Sequence, residues 1–181
     1  MPTLPTLEGE RVVLRHPRGD DLDALFALFS NGHVTRYWSH GPWHARHQAE
    51  TYLREIHAGA ASGQLLQWAI TRHGEDRLIG TTTLYGFARD HARCEIGFAL
   101  QPRHWGQGLA REAVSTVLTH AIHVLRIQRI EADADPDNSA SLRLLESLGF
   151  EREGHARERY RVGGSTQDSV LLGLLAREFR P

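Results

Sequence analysis

The stretch from Glu95 to Glu112, EIGFALQPRHWGQGLARE, constrains this chain more than any other. It predicts a strand, a glycine-bearing loop and the first turn of a helix in direct succession. The loop Arg103-His104-Trp105-Gly106-Gln107-Gly108 holds two glycines and no acidic residue. A helix start leaves backbone N–H groups unpaired and carries partial positive charge, which suits phosphate oxygens. Glycine lets the backbone curl tightly and come close to a ligand. Arg103 can add a charge-assisted bond from the side. The plain alternative is a strand-to-helix turn punctuated by glycine.

The flanking elements are well marked. From Leu109 to Leu125, the residues Leu109, Ala113, Val114, Val117, Leu118, Ala121, Ile122 and Leu125 form one apolar face at helical spacing. The strand Arg93 to Leu100 puts Cys94, Ile96, Phe98 and Leu100 on one side, a partner for that face. Arg129 to Asp135 reads as a further strand, with Ile130, Ala132 and Ala134 facing one way and Glu131, Asp133 and Asp135 the other. Asp137 or Asn138 then caps a short helix ending at Gly149. Val162-Gly163-Gly164-Ser165 reads as a hairpin turn between two last strands.

The first half is less sharply patterned. Arg11 to Leu14 predicts a short strand. Asp20 is the expected cap of a helix carrying Leu22, Leu25, Phe26 and Phe29, which Asn31-Gly32 ends. A second helix is expected from about Ala45 to Ala58. Strands at about Gln67 to Thr71 and Leu78 to Tyr85 flank a His-Gly-Glu-Asp turn. The pattern implies an α/β chain with a mixed, mostly antiparallel sheet of about seven strands and helices on both faces. No repeat, low-complexity tract or linker divides residues 1–181, so one domain is expected.

Composition narrows the function. With 21 basic and 22 acidic side chains, the chain has no basic run suited to nucleic acid. No apolar run approaches membrane-span length, and the N-terminal residues lack a signal-peptide apolar segment. The single cysteine, Cys94, excludes an internal disulfide and fits a reducing compartment. A soluble cytoplasmic protein is expected, as a monomer or homodimer. The pairs His44/His47 and His120/His123 have helical spacing but no third ligand, so no metal is expected.

R-x-x-G-x-G between a strand and a helix resembles the acetyl-CoA pyrophosphate loop of the GNAT superfamily of N-acetyltransferases. HVTRYW (His33 to Trp38), LQWAI (Leu66 to Ile70), RLIGTTTL (Arg77 to Leu84) and RIEADADPDNSASLRLLESLGFEREG (Arg129 to Gly154) are similar to its RimJ/RimL branch of ribosomal-protein-alanine N-acetyltransferases, as is the late Asp168. The resemblance runs from about Leu7 to Leu175. It implies a GNAT fold and direct attack of a primary amine on the thioester of acetyl-CoA. A protein N-terminal α-amine ranks first as acceptor. A small-molecule amine (antibiotic, polyamine or amino acid) comes next, and a GNAT-fold protein that binds acetyl-CoA without catalysis is a further alternative.

The resemblance also assigns residues. The cofactor set is Phe98, Ala99, Leu100, Arg103, His104, Trp105, Gly106, Gln107, Gly108, Leu109, Ala110, Asn138 and Ser141. Within it, the backbone N–H near Phe98 or Ala99 would meet the thioester oxygen, where negative charge develops. Glu95, beside the small Gly97 and Ala99, is the candidate base, because only a neutral amine attacks. Ser141 is the candidate acid for the departing thiolate, with Tyr160 as the alternative. Asn138 doubles as a helix cap. Trp38, His40 and Trp43 fall in the segment implied to form the acceptor wall. Two positions depart from the branch: Val170 to Leu172 lack its late aromatic, and Ser147 stands where a lysine is frequent.

Gly106-Gln107-Gly108 also fits the start of a dinucleotide fingerprint, with Glu131 near the place of a ribose-binding acid. That reading fails at Arg111, where a small residue is required, and the chain after it is too short for a doubly wound sheet. The kinase-type G-x-x-x-x-G-K-[ST] is absent.

Overall fold

A computed structural model describes residues 4–181. Among the described residues, eight strands form one sheet in the order β1-β2-β3-β4-β5-β6-β8-β7. The strands are β1 (Leu7–Glu8), β2 (Val12–Arg15), β3 (Leu66–Arg72), β4 (Glu75–Ala88), β5 (Arg93–Leu100), β6 (Arg129–Ala134), β7 (Glu151–Val162) and β8 (Ser165–Leu175). Every neighbouring pair is antiparallel except β5 with β6. The helices are α1 (Leu22–Phe29), α2 (Gly32–Thr35), α3 (His47–Ser62), α4 (Leu109–His123) and α5 (Ser139–Ser147).

Strand alternation sends side chains to two cores. Trp68, Ile70, Leu84, Ile96 and Leu100 pack with Leu109, Val114, Val117 and Leu118 of α4 and with Leu142 and Leu145 of α5. On the opposite face, Ala69, Leu78 and Ala99 meet Leu25, Leu28 and Phe29 of α1 and Leu53 of α3. The expected apolar face of α4 is the buried one. The helix stops at His123, two residues before Leu125, and Arg126 just beyond has a left-handed φ of 60°.

Several local expectations change. β1 pairs with β2 and was not foreseen, because two residues carry no period. Asp20 does not cap α1. A 3-10 turn over Gly19–Asp21 precedes the helix, and it is the Asp21 carboxylate that takes the Arg18 N–H at 2.7 Å. Asn31 does not end α1 but caps α2, accepting the His33 N–H at 2.9 Å. α3 starts later than expected and runs longer. Gln48 Oε1 holds the N–H groups of His44 and Ala45 in a turn ahead of it, and Gly63 ends it with a left-handed φ of 70°. β4 extends past both expected ends. The last hairpin is as read: Gly163 and Gly164 both have positive φ, as a two-residue primed turn requires.

The buried ion pair between Arg15 and Asp21 ties β2 to the start of α1. Asp21 is 3% exposed and receives two guanidinium N–H bonds, at 2.7 and 2.8 Å. Arg15 also bonds Asp76 on β4. Its pKa is driven further up by the hydrogen bond to Asp21, against the opposing effect of burial. Removing Asp21 takes two charge-assisted bonds from a buried guanidinium that keeps Asp76 as its partner. Asp21→Ala is therefore expected to lose about 2–4 kcal/mol of unfolding free energy. Urea denaturation monitored by circular dichroism measures it, and a change under about 1 kcal/mol would contradict the assignment.

Candidate functional site

β5 and β6 pair only at their starts, where Arg93, Cys94 and Glu95 face Arg129, Ile130 and Glu131. Beyond those residues the two strands part. The edge of β5 over residues 96–100 then has no strand beside it on that side, while its other edge stays paired to β4 as far as Leu100. Backbone amides on such an edge need partners. Two cavities open at the parting, of about 420 Å³ and about 380 Å³. They share Tyr37, Trp38, Phe98, Asn138 and Ser141, so these five residues stand where the cavities meet.

The glycine loop forms one wall of the larger cavity. Pro102–His104 makes a single 3-10 turn, and the Trp105 indole N–H donates to the Leu100 carbonyl at 2.7 Å. Gly106 (φ 71°) and Gly108 (φ 76°) both occupy the left-handed region. They aim the chain into α4, whose first intrahelical bond runs from the Glu112 N–H to the Gly108 carbonyl. The N–H groups ahead of it carry the expected positive end of the helix.

What fixes the loop was not visible in its own residues. Arg11, just before β2, donates to the Gln107 carbonyl at 2.8 Å and to Glu112 Oε2 at 2.8 Å. Glu112 Oε1 accepts the backbone N–H groups of Arg11 and Val12, at 2.6 and 3.2 Å. The Arg11 guanidinium lies 3.2 Å from where a Cβ on Gly108 would stand. Burial pushes the Glu112 carboxyl up, and the bonds from Arg11 and Val12 outweigh it, leaving the group below its ordinary pKa.

Of the residues assigned to the cofactor, Phe98, Ala99, Leu100, His104, Trp105, Gly106, Gly108, Leu109, Ala110, Asn138 and Ser141 line the larger cavity. Arg103 and Gln107 do not. Arg103 turns to His104, and the Gln107 amide donates back to the Arg103 carbonyl. Two cations not foreseen, Arg111 and Arg143, stand on the wall instead. Arg111 Nε donates to Ser147 Oγ at 3.2 Å, which gives Ser147 a part in placing it. Asn138 caps α5 by accepting the Ser141 N–H at 3.2 Å, and both residues face the cavities.

The smaller cavity is bounded by side chains from β3 through β8 and by Asp133, Asp135 and Asp168. These carboxylates are engaged. Asp133 Oδ2 accepts from Tyr160 (2.6 Å) and Ser169 (2.9 Å), with Arg159 at 3.3 Å. Asp168 accepts the Glu158 N–H at 2.9 Å and meets His155 Nε2 at 2.7 Å. Asp135 accepts the Asp137 N–H. Burial and the bond to Asp133 hold the Tyr160 phenol above its ordinary pKa, and Tyr160 lines only this cavity.

Glu95 stands at the last paired position of β5, outside the lining of both cavities. A Cβ on Gly86 would come within 2.7 Å of its Oε1, so that glycine makes room for the carboxylate. Its cross-strand partner Tyr85 does line the smaller cavity. Burial raises the Tyr85 phenol pKa strongly, with a further contribution from the Glu95 charge. Trp38 lies at the junction, whereas His40 and Trp43 do not reach either lining. They pack in an aromatic cluster around Phe29, with Trp43 4.8 Å from it. Cys94 is buried, and burial pushes its thiol up to about 12, far from a nucleophile's range.

This architecture has known counterparts. The family model for an acetyltransferase (GNAT) domain matches residues 11–151. An uncharacterized N-acetyltransferase of Bacillus subtilis, YoaA, is 36% identical over 94% of this chain and 97% of its own length. The [ribosomal protein uS5]-alanine N-acetyltransferase of Escherichia coli is 28% identical, with 97% and 93% covered. The spermidine N(1)-acetyltransferase of Vibrio cholerae is 25% identical, with 94% and 96% covered. Among solved structures, Mycobacterium smegmatis RimJ in complex with CoA-disulfide superposes with a TM-score of 0.86 at 25% identity, over 97% of this chain and 89% of that one.

The loop geometry makes two expectations. Arg11→Leu removes the hold on Gln107 and Glu112 and is expected to weaken acetyl-CoA binding about ten-fold, or ~1.4 kcal/mol, by calorimetry. Gly108→Val, which forces a β-branched residue to positive φ, is expected to do at least as much; unchanged affinity in both would remove the loop from the site. Glu112 adds a pH dependence. Its stabilisation is present above the ordinary glutamate pKa of about 4.3 and is lost as pH falls through its depressed folded value. The melting temperature of the wild type should therefore fall more steeply below about pH 4 than that of Glu112→Gln.

Proposed function

This chain belongs to the GNAT acetyltransferase family, and from that premise we propose that it moves the acetyl group of acetyl-CoA to a primary amine, a protein N-terminal α-amine ranking first, by direct attack where its two cavities meet. The observation that carries this is the shared lining of Tyr37, Trp38, Phe98, Asn138 and Ser141. A thioester laid in the larger cavity and an amine held in the smaller one would touch only there.

On this reading the loop N–H groups of residues 106–110 take the pyrophosphate, with Arg111 and Arg143 beside them. The unpaired edge of β5 takes the amides of the pantetheine arm, as a neighbouring strand would. A backbone N–H near Phe98 or Ala99 stabilises the oxyanion of the tetrahedral intermediate. Asn138 supports the arm, and Ser141 supplies a proton or hydrogen bond to the departing thiolate. The junction position of Ser141 favours it over Tyr160, whose O–H is directed at Asp133. Glu95 lies outside the lining, so its basicity would reach the amine through water in the smaller cavity.

A second reading, a polyamine acceptor, is favoured by the row of carboxylates on the cavity wall and by the spermidine-acetylating relative. An acceptor screen with acetyl-CoA, followed by thiol release and product mass, separates the two. Glu95→Gln should keep acetyl-CoA affinity and lower turnover by about 10²–10⁴-fold if this group is the main base. Wild-type turnover in that variant would assign deprotonation to water or another group. Ser141→Ala should slow turnover more than Tyr160→Phe does; the reverse order would pass the acid role to Tyr160.

A further inference from the structure

The smaller cavity holds a polar group that the reaction as outlined does not use. Gln67 on β3 shares one cross-strand row with Thr83 and Gly97. It lines the cavity, yet its side chain is 1% exposed. Its Oε1 accepts from the Tyr52 hydroxyl at 2.8 Å and from Thr83 Oγ1 at 3.0 Å. Its Nε2 has no partner among the described residues. Burial holds the Tyr52 phenol up at about 12, so its O–H stays a donor. With the oxygen shared by the two hydroxyls, the group left over is the amide N–H. Buried donors in native proteins are paired, and an unpaired one on a residue that lines a cavity points to an acceptor atom brought by a ligand.

The rest of the wall narrows the ligand. A polycation needs carboxylates free to receive it. Asp133 is shared by Tyr160, Ser169 and Arg159, and Asp168 by His155 and the Glu158 N–H. Glu131, one step down the same strand face, is paired with Arg93 and Arg129. Asp135 on the same wall accepts only the Asp137 N–H, so one carboxylate is left to receive a single ammonium group and to repel a ligand carboxylate. The wall therefore suits a molecule with one ammonium group and a neutral oxygen close to it.

We infer that Gln67 donates a hydrogen bond to the carbonyl oxygen of an α-aminoacyl acceptor, so that this site selects peptide N-termini and amino-acid amides over alkyl polyamines and free amino acids. The inference rests on the acetyl-transfer reading and assigns Gln67 as a specificity residue. Gly97 lies in the same row beyond Thr83 and lines the same cavity, where a Cβ would stand 3.6 Å from the Tyr85 ring.

The test compares kcat/KM for alaninamide and an alanine-initiated tripeptide with that for sec-butylamine, which lacks the carbonyl, and for spermidine. With rates expressed per neutral amine, because α-amino groups titrate well below alkylamines, the wild type should prefer the two carbonyl-bearing amines by roughly ten-fold or more, the worth of one hydrogen bond to a buried donor. Gln67→Met keeps the length of the side chain but removes the N–H donors. It should lower kcat/KM for alaninamide about ten-fold, with little change for sec-butylamine and in acetyl-CoA affinity. Gln67→Leu should erase the preference in the same way. Equal losses on all four amines in both variants, or a wild type that prefers spermidine, would overturn the assignment. If acetyl-CoA binds but no amine is acetylated, the acetyl-transfer reading itself fails, and this inference with it.

Discussion

The parting of β5 from β6 is the constraint on which the site depends. Two parallel strands paired over three residues would zip further if nothing else held them. Each is instead fixed by its other neighbour: β5 by β4 from Gly80 to Ala88, and β6 by β8 along its whole length. A parallel pair also demands a crossover, which residues 101–128 supply as the glycine loop and α4. The crossover puts the helix start at the end of β5. β6 leads directly into Asn138 and α5. Loop and cap thus face the gap from its two sides as a consequence of chain order. The topology builds the site before any side chain is chosen.

Much of this was legible in the sequence because it is local. β5, the loop, the face of α4, the alternation in β6, the Asn138 cap and the final hairpin each depend on residues close in the chain. β1 and the ends of α3 and β4 were not legible, since pairing and turn bonds set them. The Asp20 cap failed for an instructive reason. Asp21 is the residue that a buried guanidinium six positions earlier requires, and that need outweighs local capping preference. In the site, the loop was readable but its support was not: Arg11 and Glu112 are a hundred residues apart. Gln67 had no motif at all, and its character comes from Tyr52 and Thr83 occupying its oxygen. His40 and Trp43 pack around Phe29 and off both linings, and a cluster of aromatic residues reads alike in sequence as a binding wall and as a core.

The charges follow the same division of labour. Arg11 and Glu112 form a brace in which one carboxylate serves two backbone N–H groups and a guanidinium together. Such a brace adds rigidity more than raw stability, because the Arg11 side chain is half exposed and its attraction is screened. Rigidity is what the loop requires. Amides that receive phosphate oxygens act through fixed placement, and a floating loop would lose binding to ordering entropy. On the opposite wall, Arg93, Arg129 and Arg159 offset Glu131 and Asp133. That pairing leaves the smaller cavity less negative than its sequence of acidic residues suggests.

These observations explain how one frame accommodates different amines. The larger cavity is formed mostly by backbone conformation: two left-handed glycines, a helix start and an unpaired strand edge. Backbone groups are indifferent to most substitutions, so the conformation of this half places few demands on side-chain identity. The smaller cavity is formed by side chains projecting from six strands, each replaceable without moving the strand that carries it. Relatives near 25% and 28% identity are named for spermidine and for a ribosomal-protein alanine, two unlike amines. Acceptor choice can therefore diverge while the loop, the gap and the junction stay in place. On the proposed reading, specificity is set by the polar groups of the smaller cavity, and by which of them the protein itself has left without a partner.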